Sequence, residues 1–171
     1  MKPSTAQLQE LTQALKKGFV PELLTSSYKE NYSEFNPEYG FCSVASEVAW
    51  FLLGGKKAGW TAYNVRDGAE THWWIQHTDG TRYDPTASQY YNVDKHPPYE
   101  RGLLGRPGGF MGIRKDPDSA WGGERKPGMR AQQMMEILGI EEGCGLEEFL
   151  QRKRGLEKVY QAPKTQVFKP K

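Results

Sequence analysis

Cys42, His72 and Asp84 stand in chain order, and those three side-chain types together can carry out acyl transfer. A cysteine attacks a carbonyl as its thiolate, and an ordinary thiol pKa of about 8.5 leaves only a small ionised fraction at neutral pH. The amides and dipole at a helix N-terminus favour the thiolate, and so does an imidazole that takes its proton. Cys42 has the first device: it lies between a glycine-containing loop and a long apolar run, Cys42 to Leu53, closed by Gly54-Gly55. His72 opens a strand rich in Trp and Ile, and Asp84 on the following strand is in reach to orient its ring.

These residues need particular elements to position them. The run after Cys42 is apolar on nearly all sides, so it reads as the central buried helix. Trp60 to Arg66, His72 to His77 and Thr81 to Asp84 read as strands, with Asp79-Gly80 a turn signal between the last two. Asp84-Pro85-Thr86 ends the third strand, because proline donates nothing to a ladder. Strand parity puts His72, Trp74 and Gln76 on one face and Trp73, Ile75 and His77 on the other. A two-residue turn would pair Asp84 with Ile75 and aim it away from His72. A three-residue loop, Thr78-Asp79-Gly80 with Gly80 left-handed, pairs Asp84 with Trp74 and sets it diagonal to His72. The three-residue loop is therefore expected.

Around this centre, Ser4 to Lys17 reads as a helix with a Ser4/Gln7 capping box and a Leu8, Leu11, Leu15 stripe. A short helix follows from Pro21, then a polar, aromatic loop from Thr25 to Gly40. Eight glycines and three prolines among the 28 residues from Arg101 to Gly128 predict a long irregular loop. Met129 to Leu138 and Leu146 to Arg154 read as helices ending at Gly139 and Gly155. The expectation is an α+β fold in one domain over 1–171: a catalytic core at about 18–100, the glycine-rich loop 101–128, helices within 129–155 and a basic tail 156–171.

For the oxyanion that acyl transfer generates, the Cys42 amide is the first candidate donor and the Asn36 side chain the second, although Asn before Pro is also a turn former. Trp73 and Trp74 read mainly as core, with one of them a candidate wall of a substrate cleft. Each assignment has a plainer rival: a buried structural cysteine at Cys42, a packed histidine at His72, a turn-forming aspartate at Asp84. Cys144 also precedes a helix but lacks a His-Trp partner.

Composition narrows the function classes. A net charge of +2 gives the whole molecule no strong pull toward nucleic acid or anionic lipid, and only the tail, with seven Lys/Arg against one Glu from Gln151 to Lys171, is a candidate for such docking. No stretch approaches the roughly 18–20 apolar residues of a membrane span. Met1 to Thr5 lacks the apolar run of a secretion signal, so a cytoplasmic location is expected. His72, His77 and His96 lack helical metal-site spacing and there is no Cys-x-x-Cys, so neither metal nor cofactor is expected. The two cysteines are expected as free thiols.

Gly40-Phe41-Cys42-Ser43-Val44-Ala45, His72-Trp73-Trp74 and Asp84-Pro85-Thr86 together resemble the transglutaminase-like core. In that family a Gly-x-Cys helix start, a His-x-Trp strand and an Asp-Pro-Thr strand end supply the triad. The resemblance covers Tyr39 to Gln89, and papain-like and NlpC/P60 peptidases and arylamine N-acetyltransferases share the triad order. It implies a thioester on Cys42 formed from a protein or from a small amide or ester, by a peptidase, amidase, deamidase or transamidase. An acetyltransferase of the same triad is an alternative. The chain is far shorter than crosslinking transglutaminases and lacks their calcium-site acidic clusters, which counts against that activity. The pattern is also similar to proteins of tailed bacteriophages, which implies work in a host cytoplasm. It opens a further alternative, a catalytically inert protein of this fold that binds and inhibits a host protein.

Overall fold

The computed structural model describes residues 2–105 and 109–161. Helix α1 (Thr5–Lys16) starts at Ser4, whose hydroxyl accepts from the Gln7 amide while the Gln7 side chain accepts from the Ser4 amide. That is the capping box its spacing predicts. After a 3₁₀ turn at Pro21–Leu23 comes the short α2 (Ser26–Glu30), inside the stretch expected to be loop. Helix α3 (Cys42–Leu52) follows, every residue but Ser43 buried, as its all-round apolar run requires.

Strands β1 (Trp60–Asp67), β2 (Glu70–His77) and β3 (Arg82–Tyr83) form an antiparallel meander. A four-residue helix α4 (Ser88–Tyr91) and a 3₁₀ turn at Tyr99–Arg101 lead to β4 (Leu103–Leu104), which joins the outer edge of β1. The sheet order is β3-β2-β1-β4. Strands β5 (Arg114–Lys115) and β6 (Arg125–Lys126) pair separately, and helices α5 (Met129–Leu138) and α6 (Leu146–Gln161) follow. The fold is α+β with a small antiparallel sheet, as expected.

One face of the sheet carries Trp60 and Ala62 of β1 with Trp73 and Ile75 of β2, and these join α1, α3, α5 and α6 in one apolar core. The opposite face carries Val65 and Tyr63 opposite His72 and Trp74. Tyr99 covers it, its ring 5.1 Å from that of Trp74. Covering both faces explains why His72 to Ile75 are all buried despite alternating direction.

Two expectations need correction. The segment 101–128 is not one irregular loop. It contributes β4 and the β5–β6 pair, and Phe110, 3% exposed, packs on Trp73. Its last glycine is pinned to α3, the Gly128 amide donating to the buried Glu47 carboxylate at 2.6 Å. Two-residue strands are too short for any periodic signal to reveal. Helix α6 does not stop at Gly155 but runs through it to Gln161. A mid-helix glycine costs about 1 kcal/mol, and α6 is held beside it by ion pairs of Arg154 with Glu10 of α1 and of Arg152 with Glu148. The part of the expected basic tail beyond 161 lies outside the described residues. No described helix is long and apolar enough to cross a membrane.

Candidate active site

Cys42 is the first residue of α3, and no side chain caps that N-terminus. The first-turn amides are therefore not taken by a side-chain cap, and the dipole there favours negative charge. Gly40 makes the approach possible. Its φ is +83°, and a Cβ there would meet Leu24 Cδ2 at 2.9 Å and Tyr28 Cδ1 at 3.0 Å. Only glycine fits both the conformation and the space.

The hairpin between β2 and β3 sets the rest. Ile75 pairs with Tyr83 and Gln76 with Arg82, while the His77 amide donates to the Thr81 carbonyl at 2.8 Å. Thr78, Asp79 and Gly80 form a three-residue loop, with Gly80 at φ +89°. This is the expected register, and it carries Asp84 to the face of His72. Asp84 Oδ2 accepts from His72 Nε2 at 2.6 Å, and both side chains are buried, 2% and 3% exposed. Oδ2 also accepts from the Tyr99 hydroxyl at 2.8 Å. Oδ1 accepts from the Thr86 amide at 3.0 Å and its hydroxyl at 3.2 Å. The Asp84-Pro85-Thr86 turn and the imidazole partner are thus one structure, not rival readings.

β3 ends at Tyr83, so it leaves the Thr71–His72 edge of β2 unpaired on that side. Cys42 fills the gap: its thiol donates to the Thr71 carbonyl at 3.4 Å, next to His72, whose ring it influences. Burial pulls the His72 imidazole down. The hydrogen bond that the ring donates to Asp84 and the proximity of Cys42, with their charges, outweigh it and push it up to about 9. With Nε2 on Asp84, Nδ1 is the ring's other polar atom.

Gln89 on α4 meets the same nitrogen. Its Nε2 lies 3.3 Å from His72 Nδ1 and donates to the Thr86 carbonyl at 3.1 Å and hydroxyl at 3.0 Å. Asn36 is brought to α4. Its Nδ2 donates to the Gln89 carbonyl at 2.9 Å and its Oδ1 accepts from Asn92, so its amide is engaged in clamping α4 instead of facing a bound carbonyl. Trp73 points into the α3 core. Trp74 lies on the His72 face, its ring 5.9 Å from the imidazole and 1% exposed, so it backs the ring and lines no open cleft.

Tyr28 and Tyr39 flank the thiol side with ring centroids 5.5 Å apart, and the Tyr39 hydroxyl donates to Glu70. Burial, then that hydrogen bond, raises the Tyr39 phenol well above its ordinary value. Cys42 itself is 7% exposed. Cys144 is also a free, buried thiol, but its neighbours are Glu148, Glu141 and Arg152, and burial followed by the Glu148 charge pushes it up. Among the described residues no three His, Cys, Asp or Glu side chains gather as a metal site would require.

A family model described as YunG protein matches residues 7–113, well over half of the chain. The chain belongs to the YunG family. No curated protein matches it, and no solved structure does. The YunG match contains every residue of the constellation just described, from Asn36 to Tyr99, and stops before α5. Two partners in this YunG family member escaped the sequence reading: Gln89 and Tyr99. A glutamine five positions past Asp84 and a tyrosine after Pro97-Pro98 carry no local pattern, and only the fold back over the sheet joins them to His72 and Asp84.

Proposed function

We propose that this protein is a cysteine-nucleophile acyl-transfer enzyme acting on a protein or on a small amide or ester. One observation carries the reading: the His72 ring is hydrogen-bonded to Asp84, and the Cys42 thiol, at a helix N-terminus, is bonded to the carbonyl of the adjacent Thr71. Cys42 Sγ bonds to the substrate carbonyl carbon while the proton of the pair is held on His72. The oxyanion meets the uncapped first-turn amides of α3, that of Cys42 first. Collapse breaks the carbon–nitrogen or carbon–oxygen bond, and His72 returns the proton to the leaving amine or alcohol. Water or an amine then attacks the thioester, again losing its proton to His72, and frees the thiol. Asp84 holds the ring throughout and stabilises its cationic form.

Iodoacetamide labelling read by mass spectrometry tests this. Cys42 is expected to alkylate faster than Cys144 at neutral pH, and His72→Ala to slow it by about tenfold or more, since an imidazole partner is what raises thiolate reactivity. Equal rates for the two cysteines would sink the proposal.

The 7% exposure of Cys42 favours a second reading, a catalytically inert member of the fold that binds a partner protein. That reading expects Cys42 to resist alkylation in the folded protein and Cys42→Ser to leave partner binding intact.

A further inference from the structure

One sizeable cavity lies away from Cys42. A cavity of about 730 Å³ lies at the other end of α3, bounded by Trp50, by Trp60 at the start of β1 and by Trp121 between β5 and β6. Trp50 is about 12 Å along the helix axis from Cys42 at 1.5 Å per residue. Its indole N–H is satisfied by the Trp60 carbonyl at 3.0 Å, so the wall it presents is apolar. Three cations stand around this floor: Lys56 and Lys57 in the 3₁₀ turn Gly55–Ala58, and Arg125 of β6.

Among the described residues, no Asp or Glu lines the cavity. None of these cations has a carboxylate within ion-pair distance among the described residues, whereas the neighbouring Lys126 is paired with Asp116. The arm of Lys57 lies across the Gly122-Gly123 turn. Its Nζ would be 3.7 Å from a Cβ at position 122 and its Cε 3.9 Å from one at position 123. That places the Lys57 arm beside the turn at the cavity.

We infer that this cavity is a second binding site, for a small organic anion with a flat apolar body. The volume falls within the range of small-molecule pockets, which are mostly apolar with a few polar groups that fix orientation. Aromatic walls take the flat body, and the unpaired cations select negative charge. The inference does not depend on the acyl-transfer proposal.

Two dyes that share one ring system separate charge from shape: 8-anilinonaphthalene-1-sulfonate and the uncharged N-phenyl-1-naphthylamine. Titration calorimetry and energy transfer from tryptophan give stoichiometry and affinity on the full chain. The expected result is one sulfonate dye per chain, bound more tightly than the neutral dye. The charge variant Lys56→Gln/Lys57→Gln/Arg125→Gln should weaken the sulfonate about tenfold, and the neutral dye less than about twofold. Trp121→Ala should weaken both dyes, and Cys42→Ser neither. Equal affinity for the two dyes, several weak sites per chain, no binding, or sulfonate affinity indifferent to the charge variant would each overturn the assignment.

Discussion

At Asp84 both carboxylate oxygens are in use, two donors on each, and this explains why a single aspartate can end a strand and hold an imidazole at once. The half of that network made by Thr86 was legible in the sequence, because an Asp-Pro-Thr turn is local chemistry. The half made by Tyr99 was not, because a loop fifteen residues away supplies it. Gln89 is the residue whose role is most open to measurement. Gln89→Leu keeps the volume and deletes the amide that bridges His72 Nδ1 and Thr86. A lost buried hydrogen bond is worth about 1 kcal/mol, so Cys42 alkylation should slow by roughly three- to tenfold with the far-ultraviolet spectrum unchanged. An unchanged rate would show that the amide only braces α4.

At the scale of elements, loop length decides whether a site exists. Each one-residue slip between β2 and β3 turns the whole of β3 over. Deleting Arg82 should keep the turn but set Tyr83 opposite Gln76 and Asp84 opposite Ile75, which directs Asp84 to the α3 face and Tyr83 to the His72 face. The expected outcome is a protein that labels poorly at Cys42 and is less stable by a few kcal/mol, since a charge would face the apolar core. Retained labelling would mean that a bulge restores the register. That register was legible because strand parity leaves only two choices, and only one of them lets Asp84 meet His72. The β4 and β5–β6 pairings were not legible: each is two residues long and is fixed by what it packs against, Tyr63 and Asn64 for β4. Gly40 was read as part of a motif, and the structure adds its cause. A Gly40→Ala variant should cost about 1–3 kcal/mol from left-handed strain alone, measurable by urea unfolding.

Over the whole molecule, two buried groups set how stability follows pH. Glu47 is buried on α3, and burial, only partly offset by the Gly128 amide and the Arg130 charge, pushes its carboxyl up to about 7 from 4.5. A group that binds its proton more tightly when folded stabilises the fold below its unfolded pKa and loses that contribution as pH rises through the folded one. Glu47 therefore withdraws stability between pH 4.5 and about 7. His72, raised to about 9 from 6.5, does the same in the next window up. At about 1.4 kcal/mol per unit, each window is worth up to about 3 kcal/mol. Urea titrations at three pH values across this range should show stability falling throughout. Glu47→Gln, which keeps an acceptor for the Gly128 amide, should flatten the lower half alone. A wild-type curve that rises between pH 5 and 7 would contradict the burial of Glu47.

The arrangement of α3 and the β1–β3 meander also has a kinetic side. Everything from Cys42 to Asp84 is contiguous in the chain, whereas α1 and α6 reach each other only across most of its length, through Arg154 and Glu10. Short-range contacts close cheaply and long-range ones late. Truncating Ile75 to alanine should therefore slow refolding, while truncating Leu11 should chiefly hasten unfolding. The centre would then be assembled before the terminal helices dock and seal it.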